Sequence, residues 1–136
     1  MLREIDDLLE NWESAYKKGL LTFWLLLLLS EKPSYPYEMS AAVRNISQGT
    51  LSADENSIYR AMSRFESMGI VASRPQASKS GPPRKYYRLT ERGRELLHRF
   101  IQRNILVFEH PKVAEHINQV LKNGGEDGFR QTYPKT

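Results

Sequence analysis

The stretch that decides the fold runs from Asn56 to Gly93 and reads NSIYRAMSRFESMGIVASRPQASKSGPPRKYYRLTERG. Its first part places apolar side chains three or four residues apart, a spacing typical of an amphipathic helix with one buried face. We expect that face to hold Ile58, Ala61, Met62, Phe65 and Met68. Gly69 follows where a left-handed helix end is expected. The pattern predicts a helix from Asp54 to Met68.

The second part of the stretch predicts a β-hairpin. Strands are expected over 70–74 and 85–89, and the segment 76–84 between them contains Ser, Lys, Gly and two prolines, which is typical of a basic, flexible tip. Thr90 then suits the N-cap of a new helix, with Glu91 in its first turn.

On the N-terminal side of this stretch the apolar spacing predicts three more helices, over 4–18, 20–29 and 37–46, with a break or a bend at Gly19. The run 20–29 is apolar nearly all round, so we expect it to be buried on most sides. It is roughly half as long as a membrane span requires. Ser52 is expected to cap the helix that begins the deciding stretch.

On the C-terminal side a helix is predicted over 91–109, and Pro111 is expected to start another. The first of these has an apolar face made by Leu96, Leu97, Phe100, Ile101, Ile105 and Phe108. The second is expected to turn Val113, Ile117, Val120 and Leu121 inward.

The order of elements predicts an α+β, mostly helical fold, a winged helix-turn-helix in which the helix Asp54–Met68 would read DNA and the hairpin forms the wing. Extra helices at both ends are expected to dimerise. The predicted domains are an N-terminal helix over 1–18, the DNA-binding domain over 19–90, C-terminal helices over 91–123 and a flexible tail over 124–136.

The charge of the chain is concentrated near the hairpin. The 136 residues contain 20 Lys and Arg against 16 Asp and Glu, a net charge of +4. Residues 74–94 alone hold seven basic residues and one acid. Such local positive charge is typical of a surface that binds nucleic acid.

Catalytic and metal sites are not indicated. The chain has no cysteine, which excludes disulfides, thiolate nucleophiles and cysteine zinc sites and fits a cytoplasmic location. His98, His110 and His116 lack the spacing of metal ligands on one helical face. We therefore expect no enzyme activity, no cofactor and no metal.

Two sets of residues are candidates for DNA contact. Asn and Arg side chains can make paired hydrogen bonds to base edges, and Ser adapts to bases or phosphates. On the helix the outward candidates are Asn56, Ser57, Tyr59, Arg60, Ser63 and Arg64. On the hairpin they are Lys79, Ser80, Arg84 and Lys85. Taken alone, either set also fits an ordinary solvated surface.

Three segments of the chain resemble the PadR-like family of transcriptional regulators. They are the apolar run 20–29 followed by Tyr35-Pro36-Tyr37-Glu38-Met39, the helix from Asn56 to Val71, and GPPRKYYRLTERG over 81–93. The family commonly has Gly where this chain has Pro36. The similarity covers about residues 18–100.

The resemblance implies a homodimer that binds a palindromic operator, usually as a repressor, through the helix and the wing. It implies that Tyr59 touches the DNA backbone and that Lys79, Arg84 and Lys85 serve the wing. It also implies dimer contacts through the terminal helices. Some members of the family respond to aromatic compounds. A further hypothesis is therefore a hydrophobic site between protomers that binds a small aromatic effector and is lined by some of Trp12, Trp24, Phe100 and Phe108.

The terminal helices carry more apolar surface than one small winged domain can cover, which independently favours a dimer. The expected interface residues are Leu8, Trp12, Tyr16, Leu97, Phe100, Ile101, Ile105 and Phe108. Two alternatives stay open: a winged helix that docks onto proteins, and an architectural DNA binder without sequence preference. Dependence of binding on salt would separate DNA binding from docking.

Overall fold

The computed structural model describes residues 2–77, 81 and 83–124. The fold is mostly helical with a small antiparallel sheet, as predicted for a winged helix. Its elements are α1 (Leu2–Glu31), α2 (Pro36–Ile46), α3 (Glu55–Ser67), β1 (Val71–Gln76), β2 (Arg84–Leu89), α4 (Glu91–Phe100), a π-helical segment (Ile101–Ile105), a 3-10 helix (Leu106–Glu109) and α5 (Pro111–Lys122). The chain divides into two compact units, Met1–Leu97 and His98–Thr136.

The core of the first unit joins the second half of α1 to α2, α3 and the sheet. Its largest fully buried side chains include Leu25, Met39, Val43, Ile58 and Phe65. The face of α3 predicted to be buried is buried at Ile58, Ala61, Met62 and Phe65. Met68 was also expected there, and that was wrong: it is the C-cap residue and 46% exposed.

Of the break or bend predicted at Gly19, the break is wrong, because α1 continues through this residue. One glycine in a helix costs only about 1 kcal/mol, and good helix formers on both sides outweigh it. The run after Gly19 is buried or partly buried throughout. Leu25, Leu26 and Leu29 are buried, and the rest of 20–29 is partly exposed.

The turn between α2 and α3 is fixed by local hydrogen bonds. The buried Ser47 hydroxyl accepts from the Leu51 amide at 3.1 Å, and the Ser40 hydroxyl donates to the Ala53 carbonyl at 2.8 Å. The turn reverses through Gln48 and Gly49, whose φ angles are 55° and 77°. These bonds fix the path of the chain up to the start of α3.

The N-cap of α3 is Asp54, so the expectation that Ser52 caps this helix was wrong. Asp54 has an extended backbone, and its carboxylate accepts from the Ser57 amide at 2.6 Å. The other end of α3 is as predicted. Gly69 has a φ of 77°, and the amides of Gly69 and Ile70 donate back to the carbonyls of Glu66 and Phe65.

The sheet pairs β1 with β2 in register from Val71 opposite Leu89 to Gln76 opposite Arg84. Ser34 adds a single antiparallel bridge to Tyr87, with both backbone hydrogen bonds at 2.9 Å. The segment between α1 and α2 therefore lies along the free edge of β2.

The helix after the hairpin begins as predicted, since the Thr90 hydroxyl accepts from the Gly93 amide at 3.1 Å. It does not remain α-helical to residue 109, because the π-helical segment replaces it after Phe100. On its apolar face, Leu97 is buried and Leu96 is 45% exposed. Pro111 starts α5 as predicted. The inward face expected for α5 was wrong, since Ile117, Val120 and Leu121 are all exposed.

No helix in the described part of the chain is long and apolar enough to cross a lipid bilayer. The expected tail lies almost entirely outside the described residues, beyond Gly124.

Candidate nucleic-acid interface

The outward face of α3 carries the predicted polar side chains. Asn56, Arg60, Ser63 and Arg64 are exposed, Ser57 is partly exposed, and Tyr59 lies at the border with 37% exposure. Because the opposite face is buried in the core, the orientation of this helix is fixed by packing rather than by its polar residues. The six candidates therefore lie together on one rigid element.

The first turn of α3 combines a negative and a positive group. The hydrogen bond from the Ser57 amide, followed by that from its hydroxyl, holds the pKa of the Asp54 carboxyl below its ordinary value, and the nearby Arg60 adds to the effect. The Arg60 guanidinium donates to the Ser57 hydroxyl at 3.2 Å. The Arg60 side chain is therefore drawn toward the N-terminal end of the helix.

The register of the sheet divides the wing, the hairpin of β1 and β2, into two faces. Residues paired across an antiparallel ladder share a face, and neighbours along a strand alternate. The inner face, which is turned to the core, consists of Val71, Ser73, Pro75, Lys85, Tyr87 and Leu89. The outer face consists of Ala72, Arg74, Gln76, Arg84, Tyr86 and Arg88.

The inner face is tied to α3 through Glu66. One carboxylate oxygen of Glu66 accepts from the Ser73 amide at 3.1 Å and from the Ser73 hydroxyl, and the other lies 4.0 Å from the Lys85 ammonium. Burial raises the pKa of Tyr87, and the negative charge of Glu66 adds to this. The Lys85 ammonium therefore lies near Glu66 while its side chain stays 60% exposed.

The outer face is bordered by three tyrosines. The Tyr35 ring lies 4.7 Å from Tyr86 and is stacked 5.5 Å from Tyr37, measured between centroids. The Tyr35 hydroxyl donates to the Gln76 side chain. The Arg84 guanidinium lies 4.6 Å from the centre of the Tyr37 ring, a cation–π contact. The bridge at Ser34 brings this aromatic cluster to the wing.

The predicted wing residues are thus not one group. Arg84 and Lys85 lie on opposite faces, while Lys79 and Ser80 lie outside the described residues. Arg74 and Arg88 are exposed on the outer face beside Arg84 but were not among the candidates. The alternation of side chains along 84–88 was the signal that could have identified Arg88. Arg74 could be placed on the outer face only from the register in which β1 pairs with β2.

The residues expected at a dimer interface differ in their exposure. Leu8, Trp12 and Tyr16 form an exposed stripe on α1, with Trp12 75% exposed. Leu97 is buried in the first unit. In the second unit Phe108 is 52% exposed, while Ile101 and Ile105 are partly buried, as is Phe100.

Two histidines have local hydrogen bonds. His110 caps α5 by accepting from the Lys112 amide at 3.2 Å, and the His116 ring bonds to the Lys112 carbonyl at 2.6 Å. Within the described residues no group of three or more His, Asp or Glu side chains could hold a metal ion.

The family model of the PadR-like transcriptional regulators matches residues 25–99. The chain belongs to this family. The matched segment runs from the buried half of α1 through the helix-turn-helix and the wing into α4. The exposed first half of α1 and the chain after Arg99 lie outside the match.

Solved structures of other PadR-like regulators have the same fold. The regulator from Bacillus cereus is 30% identical with a TM-score of 0.57, covering 77% of this chain and 94% of its own. The one from Eggerthella lenta is 25% identical with a TM-score of 0.60, covering 96% and 99%. Bacillus subtilis PadR, solved in complex with operator DNA, is 18% identical with a TM-score of 0.57, covering 79% and 71%. This last likeness concerns the fold alone.

Proposed function

We propose that this PadR-like regulator binds a palindromic operator as a homodimer, in the cytoplasm, and represses transcription from it. The observation that carries the proposal is the outward face of α3, where Asn56, Arg60, Ser63 and Arg64 are exposed on a helix held by its buried side. An α-helix of this kind fits the major groove, where each base pair presents a distinct pattern of donors and acceptors.

The wing supports the proposal by its charge. Arg84 is exposed beside a cluster of rings that belongs to the same compact unit as α3. Cationic side chains next to a reading helix supply phosphate contacts, which position the protein on DNA without selecting a sequence. The Bacillus subtilis protein with the same fold was solved with operator DNA.

A homodimer is supported by the stripe on α1. Ile5, Leu8, Leu9, Trp12 and Tyr16 are all at least half exposed. A contiguous apolar surface of this length is unusual on a monomer, and burial against a second copy would remove it from water. Two copies related by a twofold axis would read two half-sites and so a palindrome.

Selection from a pool of random duplexes, followed by sequencing, tests the proposal. We expect enrichment of one motif with inverted symmetry. Enrichment of an asymmetric motif would contradict the homodimer on DNA. Binding without any enriched motif would favour an architectural role, and no binding at any salt concentration would favour a protein-docking module.

Variants of α3 test which residues read bases. Asn56→Ala and Arg60→Ala are each expected to weaken binding to the selected site by about 1–3 kcal/mol while changing affinity for random DNA little. Arg94→Ala, an exposed arginine of α4, is the control. Equal losses on both DNAs would mean that Asn56 and Arg60 position the helix rather than select the sequence.

A small aromatic effector is the second part of the proposal. Trp12 is exposed on α1 and Phe108 is exposed in the second unit, while Trp24 and Phe100 are only partly exposed. Quenching of tryptophan fluorescence by aromatic compounds, together with release of operator DNA, would support an effector. Quenching that leaves DNA binding unchanged would contradict it.

A further inference from the structure

A cleft lies between the middle of α1 and the turn that leads into α3. Its volume is about 380 Å³, within the range of roughly 300–1,000 Å³ that small-molecule sites occupy. One wall is a face of α1 and the other is the turn between α2 and α3. The α1 wall consists of Ser14, Lys17, Lys18 and Leu21, and the turn wall consists of Thr50, Leu51 and Ser52. All of them belong to the first compact unit.

The α1 wall carries positive charge that the described residues balance only in part. The Lys17 ammonium lies 3.1 Å from the Glu13 carboxylate, so its charge is shared within the helix. Lys18 has no ion pair with any described residue, and Ser14 and Ala15, one turn before it, are not acidic. Two lysines against one glutamate leave one positive charge, which suits a singly charged anion.

Hydroxyl groups and two leucines complete the cleft. The Ser14 and Ser52 hydroxyls make no hydrogen bond to other described residues, so both are available as donors. Leu21 and Leu51 supply apolar surface to the same cleft. A carboxylate accepts hydrogen bonds from ammonium and hydroxyl groups, and a short hydrocarbon body would cover the leucines. The walls therefore fit a small acid with an aliphatic body.

The turn wall is fixed without a ligand. The Thr50 hydroxyl donates to the Ser47 carbonyl at 2.7 Å, and the Leu51 amide donates to the Ser47 hydroxyl at 3.1 Å. The other wall belongs to the continuous helix α1. Because walls held in place before binding lose little conformational entropy on binding, the cleft is preorganised for its ligand.

The α1 wall is turned away from the exposed apolar stripe of the same helix. At about 100° per residue, positions 14, 17, 18 and 21 point roughly opposite to positions 5, 8, 9, 12 and 16. A dimer that forms through the stripe therefore leaves the α1 wall accessible. The cleft also contains none of the four aromatic residues named for the aromatic effector.

We propose that this cleft binds a small aliphatic carboxylate, held by Lys18 and by the Ser14 and Ser52 hydroxyls, and that the bound anion weakens operator binding. Ser52 lies four residues before Asn56 of α3, so their Cα atoms are at most about 14 Å apart. At an ionic strength near 0.01 M the Debye length is about 30 Å, so a negative charge in the cleft repels phosphates near α3. The effect on the operator rests on the proposed function, whereas the binding of the acid does not.

The binding is tested on the protein without DNA. Hexanoate is the probe, and hexanamide, which has a similar shape without the charge, is its control. Amide NMR spectra are recorded during each titration at constant ionic strength, with chloride as the balancing anion. We expect saturable shifts at the Leu51 and Ser52 amides with hexanoate and none with hexanamide.

Variants of the lysine test how the acid is held. Lys18→Gln should weaken hexanoate binding by about fivefold, and Lys18→Arg should retain most of it. Lys32→Gln removes the same charge from an exposed position outside the cleft and should bind hexanoate like the wild type. Equal shifts with hexanamide, undiminished binding by Lys18→Gln, or no saturable shifts at all would overturn the site.

The effect on the operator is measured separately. Saturating hexanoate should weaken binding to the selected site by about threefold at low ionic strength, compared with chloride at the same ionic strength. The effect should shrink as salt is added and should be absent at the same hexanoate concentration in Lys18→Gln. By linkage, the selected duplex should weaken hexanoate binding by the same factor. Unchanged operator affinity would overturn the regulation, whereas a protein that binds hexanoate but no duplex would overturn the proposed function and leave the site standing.

Discussion

At the residue scale, Gly93 occupies the tightest position in the fold. A Cβ atom built on it would lie 2.1 Å from the Ile70 carbonyl oxygen and 2.7 Å from Leu89 Cδ1. The backbone of α4 therefore lies directly against the start of β1, and only a glycine permits that approach. We expect Gly93→Ala to lower the free energy of unfolding by about 3 kcal/mol, measured by urea denaturation.

Gly19→Ala is the matched control, because a Cβ at Gly19 would meet nothing within 4 Å. Gly19 lies inside α1, so alanine there should raise the free energy of unfolding by about 0.5–1 kcal/mol. A destabilised Gly19→Ala, or a Gly93→Ala variant as stable as the wild type, would contradict the packing described.

A second residue-scale prediction concerns Asp54. The pKa of its carboxyl is lower in the folded protein than in the unfolded chain, so the ionised cap stabilises the fold above the unfolded pKa. This contribution is lost as the pH falls through the folded pKa. Asp54→Ala should therefore lower the Tm at neutral pH. In acid the difference in Tm between this variant and the wild type should become smaller. Asp54→Asn, which keeps an acceptor oxygen, should lie between them at neutral pH.

At the element scale, periodicity predicted most helices and strands and the buried face of α3, but not the continuity of α1, the N-cap of α3 or the exposure of α5. Apolar spacing identified α3 because its buried side chains recur at one helical face. Gly19 itself suggested a break or a bend, since sequence alone cannot weigh one glycine against the packing of Leu25 and Leu29 later in the same helix.

The wing shows where the candidate site could not be predicted. Its basic residues were visible in the sequence, but the division of Arg84 from Lys85 depends on which side of the strand meets α3. The contact of Arg84 with Tyr37 joins residues 47 positions apart (84 minus 37) and depends on the bridge at Ser34. Local patterns do not contain such long-range pairings.

The prediction at the element scale concerns Glu66, whose carboxylate on α3 accepts hydrogen bonds from Ser73 of the wing. Glu66→Ala leaves the Ser73 amide without its charged acceptor and should lower the free energy of unfolding by about 2 kcal/mol. Hydrogen exchange at the Ser73 amide should accelerate more than at Ala72. Glu66→Gln keeps an acceptor oxygen and should retain most of the protection. Equal exchange in all three proteins would show that Glu66 does not hold the wing.

At the scale of the whole molecule, we expect the protein to be a homodimer in solution. Light scattering at micromolar concentration should give twice the 15.8 kDa of one chain. Trp12→Glu places a charge in the centre of the exposed stripe and should shift the protein toward monomer. Asn11→Glu adds the same charge one residue away and should remain a dimer. A wild-type mass of 15.8 kDa would contradict the dimer, and with it the expectation of a palindromic site.

The continuity of α1 has a consequence for DNA geometry. Thirty residues of helix extend about 45 Å without a joint, and the turn after Glu31 is bonded to β2 at Ser34. If the exposed apolar stripe on the first half of α1 contacts a second copy of the protein, the rigid helix α1 sets the distance between the two α3 helices of the dimer. One base pair inserted between the half-sites, which separates and rotates them, should then abolish most of the specific affinity. Gly19→Pro, which kinks the rod, should change the preferred spacing while leaving the half-site sequence unchanged.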